Sequence, residues 1–133
     1  MIGVVVATHG RLAEELIRTA EGIVGKLDRC EAVSIGSTLS MEECRTNLEQ
    51  AVRRVDDGAG VLVLTDMFGG TPSNLAISVM SQPKVEVLAG INLPMLIKLA
   101  KVRETCQLED AVTAAQEAGR KYCTIASRVL NGK

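Results

Sequence analysis

His9 is the one histidine in a chain of 133 residues. It stands where an apolar run, Ile2 to Ala7, gives way to an amphipathic one. An imidazole is an effective nucleophile when one ring nitrogen keeps its lone pair and the other is held as a donor. Asp66 can supply that hold, because it closes an entirely apolar stretch, Gly60 to Thr65 (GVLVLT), and so stands at the end of a strand. A carboxylate accepting from one ring nitrogen fixes the tautomer and steadies the positive charge that grows on the ring. The acid of a Ser-His-Asp triad does the same, but here the histidine itself is the nucleophile. The plainer alternatives are a His9 that only hydrogen-bonds near a helix start and an Asp66 that caps the next helix.

After Asp66 come Met67, Phe68, Gly69, Gly70, Thr71 and Pro72. Glycines allow the backbone to approach an anion closely and to expose its N–H groups. Thr71 reads as the N-cap of a helix with Pro72 at its first position, and a helix start favours a negative ligand. Thr71 can alternatively offer its hydroxyl to a phosphoryl oxygen. Gly69, Gly70 and Thr71 are therefore the candidate phosphate bed, although a tight turn explains the same residues. Met67 and Phe68 are large apolar side chains in a loop, suited either to a docking partner or to packing on the neighbouring helix. Arg11, just beyond His9, could meet an acidic partner or simply be solvated.

Around this set the sequence has no P-loop, no second histidine, no catalytic Lys–Asp set and no cluster of metal ligands. No cofactor or metal is implied. A phosphoryl group on His9 would come from another protein and leave to another one.

These residues have to be positioned by an aliphatic scaffold. Hydrophobic residues make up 47% of the chain but aromatic ones only 2%, with one Phe, one Tyr and no Trp. The net charge of −1 and the shortage of rings argue against a nucleic-acid surface. They also argue against a flavin-type crevice. No apolar run approaches the roughly 20 residues of a membrane span. The start, MIGVVVATHG, lacks the charged region and cleavage site of a signal peptide, so a cytoplasmic protein is expected. Cys30, Cys44, Cys106 and Cys123 include no Cys-x-x-Cys pair and read as reduced thiols.

Apolar runs alternate with amphipathic stretches along the whole chain. Ile2 to Ala7, Cys30 to Ile35, Gly60 to Thr65 and Lys84 to Ala89 read as strands. Leu12 to Val24, Ser40 to about Asp56, Pro72 to Ser81, Leu93 to about Val102 and Leu108 to Gly119 read as helices, with Ser40 and Glu43 spaced for a capping box. Tyr122 to Ala126 (YCTIA) reads as a final short strand, the alternative being a continuation of the last helix. The expected fold is α/β: a single doubly wound domain over 1–133 with a mainly parallel open sheet. Four strands are parallel, a short C-terminal one is antiparallel, and helices cover both faces. In such sheets the site lies at the carboxyl ends of the strands, near the switch in strand order. The sequence puts His9, the 66–71 loop and Gly90-Ile91-Asn92 there.

At these residues the chain resembles the IIA component of the mannose/fructose/sorbose-type sugar phosphotransferase system. The resemblance is carried by Val6-Ala7-Thr8-His9-Gly10, by Thr19-Ala20-Glu21 and by Gly60 to Asp66 running into Gly69-Gly70-Thr71-Pro72-Ser73-Asn74. A further piece is Val85 to Leu96. It implies a phosphohistidine at His9, Asp66 as its hydrogen-bonding partner, and Thr71 as the hydroxyl residue near the phosphate. It implies the phosphocarrier HPr as donor and a IIB component as acceptor, with a homodimer in which a C-terminal strand is exchanged. Many relatives continue into a linker and a IIB domain. Neither is expected in 1–133, so the acceptor is expected to be a separate polypeptide. Two alternatives share the architecture: a free-standing regulatory phosphoprotein whose His9 reports metabolic state, and a subunit feeding dihydroxyacetone kinase.

Overall fold

Apolar runs with no polar interruption cannot present a wet face, so they form strands covered on both sides. The structure, a computed structural model, describes residues 1–36, 38–67, 69–80 and 84–132. It places four such runs in one sheet: β1 (Gly3–His9), β2 (Cys30–Ile35), β3 (Val61–Thr65) and β4 (Val85–Ala89). Their order is β2-β1-β3-β4, and every pairing is parallel. Val4 lies opposite Cys30, Ala7 opposite Thr65 and Thr65 opposite Ala89.

The strands are joined by α1 (Leu12–Val24), α2 (Met41–Val55), α3 (Thr71–Ser78) and, after β4, α4 (Leu93–Val102) and α5 (Leu108–Lys121). Side chains alternate across the sheet. Val5, Ala7, Val61 and Val63 therefore pack toward Leu48, Val52, Leu75 and Ala76 of α2 and α3. Val4, Val6, Leu62 and Leu64 pack toward Ala13 and Ile17 of α1, Leu96 and Leu99 of α4, and Ala111 and Ala115 of α5. Burying each large aliphatic side chain contributes about 1.5–3 kcal/mol, and this doubly covered sheet stands in for the aromatic core the composition lacks.

Several starts and stops follow the sequence. The Ser40 Oγ accepts from the Glu43 amide at 3.0 Å, so one half of the capping box forms; no return bond from the Glu43 side chain occurs among the described residues. The Asn92 Oδ1 accepts from the Met95 amide at 3.2 Å, and its Nδ2 donates to the Gly119 carbonyl at 3.0 Å, tying the start of α4 to the end of α5. At the opposite end of the sheet from His9, Arg103 is buried. Its Nε donates to the Ile2 carbonyl at 2.9 Å and its Nη2 to the Arg29 carbonyl at 2.8 Å, holding together the entries to β1 and β2. All four cysteines are free thiols; burial pushes the Cys30 thiol up to about 11.

The expected C-terminal antiparallel strand over Tyr122–Ala126 does not form. Tyr122 ends α5, residues 123–125 have no regular structure, and Ala126–Leu130 make a short helix, α6. The reason is backbone satisfaction. A strand needs a neighbour for its N–H and C=O groups, and among the described residues no strand pairs with the segment. Local bonds replace it, from the Arg128 and Val129 amides to the Ile125 carbonyl. The expected helix over Pro72–Ser81 ends at Ser78, and its last expected residue, Ser81, lies outside the described residues.

Candidate functional site

The chain leaves β1 to build β2 on one side, then crosses to build β3 on the other. A crevice therefore opens between the carboxyl ends of β1 and β3, the switch point where such sheets bind ligands. His9 is the last residue of β1, and Asp66 follows the last residue of β3. Parallel pairing carries β1 two residues beyond the expected Ala7, with His9 opposite Ile35.

The two side chains meet. His9 Nδ1 lies 2.7 Å from Asp66 Oδ2, and the His9 backbone N–H donates to the same oxygen at 3.0 Å. The Met67 N–H donates to Asp66 Oδ1 at 2.9 Å. Burial alone would raise the Asp66 carboxyl. The His9 amide, the His9 ring and the Met67 amide outweigh it and hold the carboxyl below the ordinary carboxylate range. An ionised carboxylate only accepts, so Nδ1 is the donor, and in the neutral ring the lone pair is then on Nε2. The His9 side chain is 53% exposed and that of Asp66 14%. The carboxylate is thus sheltered while the ring bonded to it is half-exposed.

Gly10 makes the turn out of β1 with φ +54°, a left-handed conformation that glycine adopts without strain. Gly70 is needed for another reason. A Cβ built there would stand 3.3 Å from His9 Cε1 and 3.4 Å from Met67 Cγ, so the backbone passes right beside the ring. Thr71 is not the N-cap that the sequence suggests. Gly70 is the cap, Thr71 is the first residue of α3, and Pro72 is the second. The shift has a simple cause: Gly70 adopts the extended cap conformation (φ −86°, ψ 173°) with no side chain to crowd His9. Thr71 makes no side-chain hydrogen bond among the described residues, which leaves its hydroxyl available. Amides in the first turn of a helix have no carbonyl four residues back. That of Asn74 donates to the Gly70 carbonyl and Pro72 has none, so those of Thr71 and Ser73 have no acceptor within the helix. Gly69, Gly70 and Thr71 together place a helix start beside the Cε1 edge of the His9 ring.

Of the expected partner-facing residues, Met67 is 56% exposed next to this edge. Arg11 is exposed and pairs with Glu14 at 3.6 Å on the first turn of α1. Phe68 lies outside the described residues. The sequence reading passed over Thr8. Its fully buried hydroxyl accepts from the Ala13 N–H at 2.8 Å and donates to the His9 carbonyl at 3.1 Å. The available signal was that Arg11, at the N-cap of α1, has no oxygen to cap it with.

Two surface grooves, about 400 Å³ between α4 and α5 and about 600 Å³ between α2 and α3, are lined by residues other than His9. Among the described residues no group of three His, Cys, Asp or Glu could hold a metal ion, and no helix is long and apolar enough to cross a membrane. The site thus joins a half-exposed imidazole, a sheltered carboxylate bonded to it and a helix start beside it.

Comparison with known proteins bears on the chemistry of this site. Residues 3–116 match the family model described as "PTS system fructose IIA component". The chain is 32% identical over 122 residues to the mannose-specific EIIAB component of Escherichia coli, covering 90% of this chain and 38% of that protein. It is 28% identical over 131 residues to the fructose-specific EIIA component of Bacillus subtilis, covering 98% of this chain and 90% of that one. The crystal structure of phosphotransferase system component EIIA from Streptococcus agalactiae superposes with a TM-score of 0.87 at 25% identity, covering 96% of this chain and 98% of that one. The chain thus spans about two fifths of the length of the E. coli relative. With the family model matching residues 3–116 and the fold in agreement, the chain belongs to the family of EIIA components of the sugar phosphotransferase system.

Proposed function

We propose that this chain is a phosphocarrier that takes a phosphoryl group from phospho-HPr onto His9 and passes it to a IIB component, working in the cytoplasm. One observation carries the reading: the 2.7 Å contact between Nδ1 and Asp66 Oδ2 on a half-exposed ring. It leaves Nε2 as the attacking atom. The Nε2 lone pair forms the new N–P bond, and the donor's bond to phosphorus breaks with its electron pair returning to the donor. Asp66 balances the positive charge that develops on the ring, and Nδ1–H stays bonded to it throughout. The amides of Thr71 and Ser73, the Thr71 hydroxyl and the glycine backbone at 69–70 receive the phosphoryl oxygens. Transfer onward reverses these steps.

The half-exposed His9 ring supports a protein as donor and acceptor, since a docking partner can reach it from the surface. Met67 would meet such a partner's apolar surface and Arg11 its charged rim. A homodimer belongs to the same reading: Tyr122, Ile125, Val129 and Leu130 are exposed apolar residues on one terminal segment, and a second copy would cover them. Sedimentation would detect it.

The test is direct. Incubation with phosphoenolpyruvate, enzyme I and HPr is expected to give an adduct that is labile to acid, stable to base and absent from His9→Ala. No phosphate on the wild-type chain, or an adduct surviving His9→Ala, would overturn the reading. A regulatory role for the same phosphohistidine would instead show as normal phosphorylation with no transfer to any IIB component.

A further inference from the structure

Thr8 is fully buried, and its hydroxyl makes two hydrogen bonds, neither of them to Asp66. Alternation along β1 puts Thr8 on the α1 side of the sheet with Val4 and Val6, and His9 on the other. The Thr8 Oγ1 accepts from the Ala13 N–H at 2.8 Å. Ala13 is the second residue of α1, and its amide has no carbonyl four residues back inside the helix. The residue at the N-cap, Arg11, gives no side-chain bond. The cap thus comes from five residues upstream, across the Gly10 turn. The same hydroxyl donates to the His9 carbonyl at 3.1 Å.

His9 is therefore held at its amide, its ring and its carbonyl. Its amide and Nδ1 share Asp66 Oδ2. Its carbonyl is bonded to Thr8, which is itself fixed to the helix. The shared oxygen demands that the His9 backbone and ring keep one relative orientation. Residues 10–11 alone join β1 to α1, so the Thr8 hydroxyl adds to the packing of Ala13 on the sheet a directional bond that fixes the helix start, and with it that turn, against the strand end. We propose that Thr8 is a positioning residue for phosphotransfer: its hydroxyl locks the β1–α1 turn so that His9 holds the Nδ1–H tautomer on Asp66 and aims Nε2 outward. Thr8 touches neither phosphate nor partner. It acts through His9. The proposal rests on the phosphocarrier reading for its kinetic consequence but not for its geometric one.

Two substitutions separate the hydroxyl from the shape. Thr8→Val keeps the volume and removes the hydroxyl; Thr8→Ser keeps the hydroxyl and removes a methyl group. Nitrogen-15 NMR of the His9 ring is expected to report one tautomer, with the proton on Nδ1, in the wild type and in Thr8→Ser, and a mixture in Thr8→Val. Phosphorylation by phospho-HPr is expected to slow about 10- to 100-fold in Thr8→Val through kcat, the scale expected of a small misplacement of the nucleophile. KM should hold, and Thr8→Ser should stay within about twofold of wild type. A Thr8→Val protein with the wild-type ring tautomer and rate overturns the proposal. So does Thr8→Ser as impaired as Thr8→Val, since the loss would then follow packing. Should Thr8→Val not fold, Thr8→Ala against Thr8→Ser makes the same comparison of ring tautomers. If the wild type accepts no phosphate, the phosphocarrier reading falls, and the ring measurement still decides whether Thr8 positions His9.

Discussion

Replacing Asp66 with Asn turns one carboxylate oxygen into an NH₂ group and removes a charge, and the geometry fixes what must follow. The carboxylate accepts from three donors: the His9 amide and Nδ1 on Oδ2, and the Met67 amide on Oδ1. An amide has one oxygen. If it takes the Oδ2 place, both His9 bonds survive without charge assistance, and the NH₂ opposes the Met67 N–H. A hydrogen bond to a charged group contributes about 1.5–3 kcal/mol, so its loss as positive charge grows on the ring slows transfer about 10- to 150-fold. If the NH₂ takes the Oδ2 place, the ring can keep a bond only by accepting at Nδ1 and moving its proton to Nε2. The nucleophile is then gone, and the loss approaches the about 10⁴-fold seen when the acid of a Ser-His-Asp triad is amidated. The assay is the initial rate of phosphate incorporation from phospho-HPr, with circular dichroism to show that the variant is folded. A folded Asp66→Asn protein within twofold of the wild-type rate would refute the role given to this carboxylate.

Other outcomes follow from the same geometry. Gly70→Val adds atoms beside His9 Cε1 and Met67 Cγ, 3.3 and 3.4 Å from the new Cβ; phosphorylation should fall about 10- to 100-fold with little change in thermal unfolding, and an unchanged rate would show that the glycine serves only the turn. The Asp66 carboxyl is held below its ordinary value, so its stabilising effect is complete above the unfolded value of about 3.9 and is lost as pH falls through the lower folded value. The gap in urea stability between wild type and Asp66→Asn should therefore be full at pH 7 and narrow below about pH 4; an equal gap at pH 7 and pH 3 would contradict this. Arg103→Ala leaves the Ile2 carbonyl without its guanidinium donor and takes one of two donors from the Arg29 carbonyl, which keeps the Val4 N–H. It should cost about 2–4 kcal/mol by urea titration without slowing phosphorylation, because Arg103 lies at the far end of the sheet.

Much of the scaffold was legible because burial on both faces writes strands as unbroken apolar runs. Cys30–Ile35 and Leu12–Val24 have the bounds the sequence indicates, and alternation with helices gave the parallel sheet. What failed were features set by tertiary contact. β1 extends to His9 because β2 offers a partner that far, which no local pattern records. Thr71 looked like a cap by residue type, but the space beside His9 put a glycine there. Tyr122–Ala126 carries β-prone side chains, yet a strand without a neighbour gives way to local hydrogen bonds. At the site, His9 and Asp66 were readable because each ends an apolar run, and the topology then made those ends adjacent. Thr8 was not. A threonine in a strand has many roles, and only the empty cap position of α1 shows which one this is.

The central claim is that Asp66 holds the proton at Nδ1 and leaves Nε2 to take the phosphoryl group. Long-range proton–nitrogen-15 correlation of the phosphorylated chain locates the phosphorus on one ring nitrogen. The account predicts a single phosphohistidine at His9, joined through Nε2, with Nδ1 still protonated. Phosphorus on Nδ1, or a phosphorylated residue other than His9, would contradict it.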